Sequence, residues 1–123
     1  MPRNTAYDLT VTATGAAGAA VTLTLPAGGS GLYHYIGRLI VQRFATALLV
    51  AAATPVIVTT TNLPGSREFS FPADAALQGL LAQEVVEPLF PIRSSVVNAA
   101  TTIVCPVTTS VIWRVTADYF LAN

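Results

Sequence analysis

Apolar and polar residues alternate with a period of two at both ends of the chain. Leu9, Val11 and Ala13 alternate with Thr10, Thr12 and Thr14. Val21, Leu23 and Leu25 alternate with Thr22 and Thr24. Each run predicts a strand with one face inward and a threonine face outward. Gly15-Ala16-Ala17-Gly18 between them reads as a turn, and the unit as a hairpin. Leu32 to Phe44 fits two periods. Leu32, Ile36, Leu39, Ile40 and Phe44 are spaced for a helix. Tyr33, Tyr35, Gly37, Leu39 and Val41 against His34, Arg38 and Gln42 are spaced for a strand. The Tyr, Ile and Val content and the helix cost of Gly37 favour a long strand, with Gly37 at a bulge or close approach.

Pro55 to Thr61 is a β-branched run. In Asn62-Leu63-Pro64-Gly65, Pro64 presets one turn angle and Gly65 supplies positive φ, as a type II turn requires. Arg67 to Phe71 returns as a short strand with Phe69 and Phe71 on one face. Ala73 to Gln83 is the single helical candidate, with Asp74 near its start and Gly79 weakening it. Glu84 to Phe90 and Pro91 to Val97 read as short strands interrupted by Pro88 and Pro91, and Thr101 to Pro106 as another. A turn at 107–110 leads to a last strand, Val111 to Leu121. It carries Val111, Trp113, Val115, Ala117 and Tyr119 on one face and Arg114, Thr116 and Asp118 on the other. About eight short strands predict an all-β, single-domain antiparallel β-sandwich over 9–123, of jelly-roll type, with at most one short helix. Met1 to Asp8 reads as a polar N-terminal arm that reaches a neighbour or frays.

Composition changes the picture. Charged residues are 10% of 123, against about 25% in ordinary soluble domains, and hydrophobic residues are 53%. Lysine is absent. Leu39 to Val58 is the best candidate for a membrane span, but Gln42, Arg43 and Pro55 interrupt it and its apolar centre is mostly alanine. The N-terminus lacks the apolar stretch of a signal peptide. Burial against other subunits therefore accounts best for the apolar excess, with threonine hydroxyls hydrating part of the surface. A formal net charge of +0 without a basic stripe argues against nucleic acid as a partner.

Candidate chemistry is sparse. The glycines of Pro26-Ala27-Gly28-Gly29-Ser30-Gly31 lack the Gly-Lys-Ser/Thr of a phosphate loop. His34 is the single histidine and reads as a surface or interface residue rather than a catalytic base. The spacing of His, Cys and acidic residues fits neither a zinc nor a calcium site, and no cofactor is expected. Cys105 reads as a small buried hydrophobe. Tyr33, Tyr35, Trp113 and Tyr119 could build a sugar-binding face, although the spacing of Trp113 places it in the core. The low charge places Arg38, Arg43, Arg67 and Arg114 at interface rims, paired with Glu68, Glu84, Glu87 or Asp118.

Three segments resemble small proteins of tailed bacteriophages: Gly31-Leu32-Tyr33-His34-Tyr35-Ile36-Gly37-Arg38-Leu39, Thr54 to Gly65, and Ala100-Thr101-Thr102-Ile103-Val104-Cys105-Pro106 on to Ile112-Trp113-Arg114-Val115. The resemblance implies a capsid decoration, or cement, protein. Such a protein is a homotrimer on the outer surface of the virion, made in the host cytoplasm, whose partners are itself and the major capsid protein. The resemblance carries no catalytic motif and no residue role. The interface candidates are Tyr33, Tyr35, Arg38, Arg43, Arg67 and Arg114. The alternative function is a carbohydrate-binding or fibre module.

Overall fold

A computed structural model describes residues 9–123; the expected arm, Met1 to Asp8, lies outside them. Nine strands follow in chain order: β1 Leu9–Thr14, β2 Val21–Leu25, β3 Tyr33–Ala45, β4 Ala52–Thr61, β5 Phe69–Ala73, β6 Leu81–Val86, β7 Ile92–Arg93, β8 Thr101–Cys105 and β9 Val111–Ala122. They form two antiparallel sheets, packed face to face. One runs β1-β9-β3-β6, with β7 also on β3, and the other runs β2-β8-β4-β5. The pairing is nested: β1 pairs with β9, β2 with β8, β3 with β6 and β7, and β4 with β5. A long hairpin wrapped around a core gives this order, which is the jelly roll.

The nested pairing overturns the expected β1–β2 hairpin. The two strands lie in different sheets, and Gly15 to Gly18 is a crossover between them. Gly15 N–H donates to the Trp113 carbonyl at 3.2 Å and Gly18 N–H to the Val111 carbonyl at 2.9 Å, so the crossover is tied to β9. Alternation told which face of each strand is apolar; it carried no information on the partner. The helical candidate 73–83 is also corrected. Ala73 ends β5, Leu81 begins β6, and the loop between them bonds across to 45–49: Gly79 N–H to the Ala45 carbonyl at 2.7 Å, and a reciprocal Leu49–Ala76 pair. Gly79 adopts φ +86°, outside the helical region. The strand expected at Glu84 to Phe90 is shifted to β6, which begins at Leu81 and ends at Val86, and the one expected at Pro91 to Val97 shrinks to the two residues of β7; Pro88 and Pro91 offer no N–H to a ladder.

The core is the meeting of the two inner faces. Val21, Leu23 and Leu25 of β2, Ile103 and Cys105 of β8 and Val58 of β4 pack against Leu39 and Val41 of β3 and Val111, Trp113, Val115, Ala117 and Tyr119 of β9. Trp113 is fully buried, its indole N–H donating to the Pro106 carbonyl at 3.0 Å, so the large apolar ring leaves no unpaired polar atom.

In β3 the phase changes. The register with β9 shifts between Ile36 and Arg38, which is the bulge expected at Gly37. Ahead of it His34 and Ile36 face inward; beyond it Leu39 and Val41 do. One extra residue reverses which side chains are inside. Tyr33 and Tyr35 therefore do not share the inner face of Leu39 and Val41, as strict alternation required. They lie on the outer face.

Candidate interaction surface

His34 is buried, not at the surface as expected, because the bulge turns it inward. Its Nε2 lies 2.7 Å from the Pro26 carbonyl and its Nδ1 2.8 Å from the Thr101 hydroxyl. A carbonyl can only accept, so Nε2 carries the hydrogen in the neutral ring and Nδ1 accepts from Thr101. The Thr101 oxygen in turn accepts from Asn62 Nδ2 at 3.1 Å. Around this chain, Asn62 Oδ1 accepts from Val96 N–H and Asn98 Oδ1 accepts from Gly29 N–H. Asn62 and Asn98 have φ of 59° and 49°, a left-handed conformation that asparagine tolerates. The network knits the loops after β2, β4 and β7 at one end of the sandwich. No buried side-chain nitrogen or oxygen in it lacks a hydrogen-bond partner, and His34 is 2% exposed. Its chemistry is that of a satisfied polar core.

The charged residues form two further settings. Arg38 donates through Nε to Asp118 Oδ2 at 2.8 Å, with Nη2 also 2.8 Å from that oxygen, while Nη1 lies 3.8 Å from Glu87 Oε1. Thr10 donates to the other Asp118 oxygen at 2.7 Å. Gly37, Arg38, Glu87, Pro88 and Asp118 line a shallow cleft of about 590 Å³ beside the bulge. Arg43 lies over the Phe71 and Trp113 rings, 5.6 and 5.9 Å from their centres, and donates to the Pro72 carbonyl at 3.2 Å. It closes one side of a groove of about 630 Å³ between the start of β4 and residues 106–110, floored by Leu49, Val56 and Val111. The groove opens where the β4–β8 ladder stops at the Thr59–Val104 pair, next to Cys105 and Pro106.

Four of the six candidate interface residues, Tyr33, Tyr35, Arg38 and Arg114, share the outer face of the β3–β9 sheet, while Arg43 and Arg67 lie elsewhere. Tyr33 and Tyr35 lie on the outer face of the β3–β9 sheet; Arg93 sits 4.5 Å over the Tyr33 ring, and Tyr35 stacks on Phe120 at 4.9 Å with its hydroxyl donating to the Asn123 carbonyl. Arg114 is on the same face, donating to Thr14 at 3.3 Å. Arg67 is exposed in the loop after β4, where its carbonyl accepts from Thr60. Neither tyrosine lines the cleft or the groove, and Trp113 and Tyr119 are buried, so the four aromatics do not share one face.

A different segment stands out. Leu77, Leu80, Leu81, Val85, Leu89 and Phe90 account for six of the twelve exposed large hydrophobics among the described residues, within fourteen consecutive positions. Their centre is β6, an edge strand. Reading 73–83 as a helix hid this edge. Both faces of the segment read apolar, polar, apolar (Leu81, Gln83, Val85 and Ala82, Glu84, Val86), so alternation in the sequence does not single it out. Among the described residues, no group of three or more His, Cys, Asp or Glu is placed to hold a metal ion, and no helix is long and apolar enough to cross a membrane. No family model, curated protein or solved structure matches the chain.

Proposed function

We propose that this chain is a self-associating structural subunit that decorates a protein shell, the outer surface of a phage capsid, and acts through its surfaces rather than through a catalytic centre. The observation that carries the reading is the exposed apolar edge around β6, on a chain with few charges. Contiguous apolar surface on a folded domain marks a place where another protein sits. Two further observations support it. His34 is bonded to the Thr101 hydroxyl and the Pro26 carbonyl, and Arg38 to Asp118, so the polar groups that could do chemistry are engaged within the protein. The jelly roll is also an architecture used by shell proteins.

The mechanism is mechanical. A subunit that binds the assembled lattice and not its free components stabilises the lattice by mass action. Self-association is the part of this reading that the β6 edge supports, and three copies is the number the resemblance implies. Size exclusion with light scattering at micromolar concentration is expected to give a small multiple of 12.8 kDa. The protein is also expected to pellet with mature heads of its cognate phage and not with their unassembled subunits. A monomer that ignores both would overturn the reading.

A further inference from the structure

Among the described residues five strands lie at sheet edges: β1, β6 and the two-residue β7 in one sheet, β2 and β5 in the other. Unpaired edges invite association, and folded proteins blunt them with polar side chains, proline or charge. On β1, Thr10 and Thr12 are bonded to Asp118 and Thr116 of β9, and Thr14 accepts from Arg114. On β2, Thr22 and Thr24 face out. On β5, Pro72 interrupts the donors. By contrast β6 is exposed over Leu81 to Val85, has neither proline nor lysine, and carries a single charge, Glu84.

We infer that β6 is the pairing strand of a two-fold dimer, in which the β6 edges of two copies join antiparallel and continue the β1-β9-β3-β6 sheet across the axis. The occupant of the edge is a second copy because the segment is complementary to itself. A continuous sheet keeps outer face on outer face, which admits registers centred on a residue and excludes those centred between two. Pairing of β3 with β6 places Leu81, Gln83 and Val85 on the outer face, across from Phe44, Gln42 and Ile40, and Ala82, Glu84 and Val86 on the inner one. Centring on Glu84 sets two carboxylates opposite each other, which is unfavourable. Centring on Gln83 sets Val85 opposite Leu81 on both sides of the axis and Glu84 opposite Ala82. In the same register the flanking loops bring Leu77 toward Leu89.

The central glutamine fits its place. Its Oε1 already accepts from Gln42 Nε2 at 2.7 Å, which orients the amide and leaves its own N–H groups for the second copy's Gln83. Stable interfaces bury roughly 1,200–2,000 Å² in total, more than a six-residue ladder supplies. The exposed leucines at both ends of β6 are the surface that extends it. This inference rests on the self-association part of the reading above, not on shell binding. An isologous contact of this kind closes at two copies, in place of the three that the resemblance implies.

The test uses the full chain and three variants. Gln83→Cys places a thiol on the axis, opposite itself, where facing Cα atoms in an antiparallel pair are about 4.5–5.5 Å apart and within disulfide reach. Glu84→Cys is offset from its own copy and serves as the control. Cys105, the native thiol, is buried and does not compete. The expected results are a mass twice that of the monomer, rapid oxidation of the Gln83→Cys protein to a covalent dimer, and little cross-linking of Glu84→Cys. Val85→Lys, on the exposed side of the edge, is expected to weaken the dimer by roughly tenfold or more while leaving the circular dichroism spectrum unchanged. A monomeric parent, a trimer indifferent to Val85→Lys, or equal cross-linking of the two cysteine variants would overturn the two-fold edge. Pelleting of the Val85→Lys monomer with phage heads reports on shell binding separately, so the two readings fail independently.

Discussion

The relay from Asn62 through Thr101 and His34 to the Pro26 carbonyl shows how one residue can hold three loops. Each member both gives and takes a hydrogen bond, and the ring sits against Tyr119, edge to face at 5.6 Å. Replacing Thr101 by valine keeps the shape and removes the middle of the chain, leaving His34 Nδ1 and Asn62 Nδ2 without that partner. A loss of about 1–3 kcal/mol in unfolding free energy is expected from urea titration, because a buried polar atom left unpaired keeps its full desolvation cost. Cys105 is the other buried group with a measurable consequence. Burial pushes its thiol from 9.0 up to about 12, and burial raises the Tyr119 phenol above 10.0 as well. The unfolded chain releases these protons at lower pH than the folded one, so stability is complete below pH 9 and declines from there toward pH 12. Chemical denaturation repeated at pH 8, 9.5 and 11 is expected to show that decline. A thiol reagent at pH 8 is expected to label Cys105 at the rate of unfolding.

At the scale of elements, the crossover and the bulge set the geometry. The crossover after β1 carries the chain from one sheet to the other, and a Cβ built on Gly15 would collide with Cγ2 of Val21, a stiff β-branched side chain at the start of β2. Gly15→Ala is expected to cost about 1–3 kcal/mol, read as a lower melting temperature, because the added methyl must displace a packed strand. The strands themselves were largely legible beforehand. β2 and β9 follow alternations visible in the sequence, β8 is a short strand-forming run without one, and Gly37 was marked by a glycine inside a strand pattern. What alternation could not supply was the side effect of that bulge: it places Tyr33 and Tyr35 outside and His34 inside, the reverse of an unbroken period of two. The 73–83 segment was misread for a related reason. Its alanines and leucines suit a helix by local propensity, whereas Gly79 at positive φ and the bonds to 45–49 bind it as a loop and strand.

For the whole molecule, the nested pairing makes β9 the centre of one sheet, held between β1 and β3, so residues far apart in the chain meet throughout. Fold class was available from the sequence because a hydrophobic face repeating every second residue has one economical burial, against another such face. The apolar excess and the absence of lysine raised the expectation of contact with other chains, which stands as the proposal above, because composition counts the whole chain and does not say which apolar residues are left outside. Strand partners, the inward histidine and the apolar edge at β6 were decided by tertiary structure alone. Pairing depends on which strands meet after the chain has wrapped, and a side chain is inside or outside relative to neighbours tens of residues away. Periodicity records the face a residue shares with its own strand; what covers that face, or leaves it open, is set by the rest of the fold.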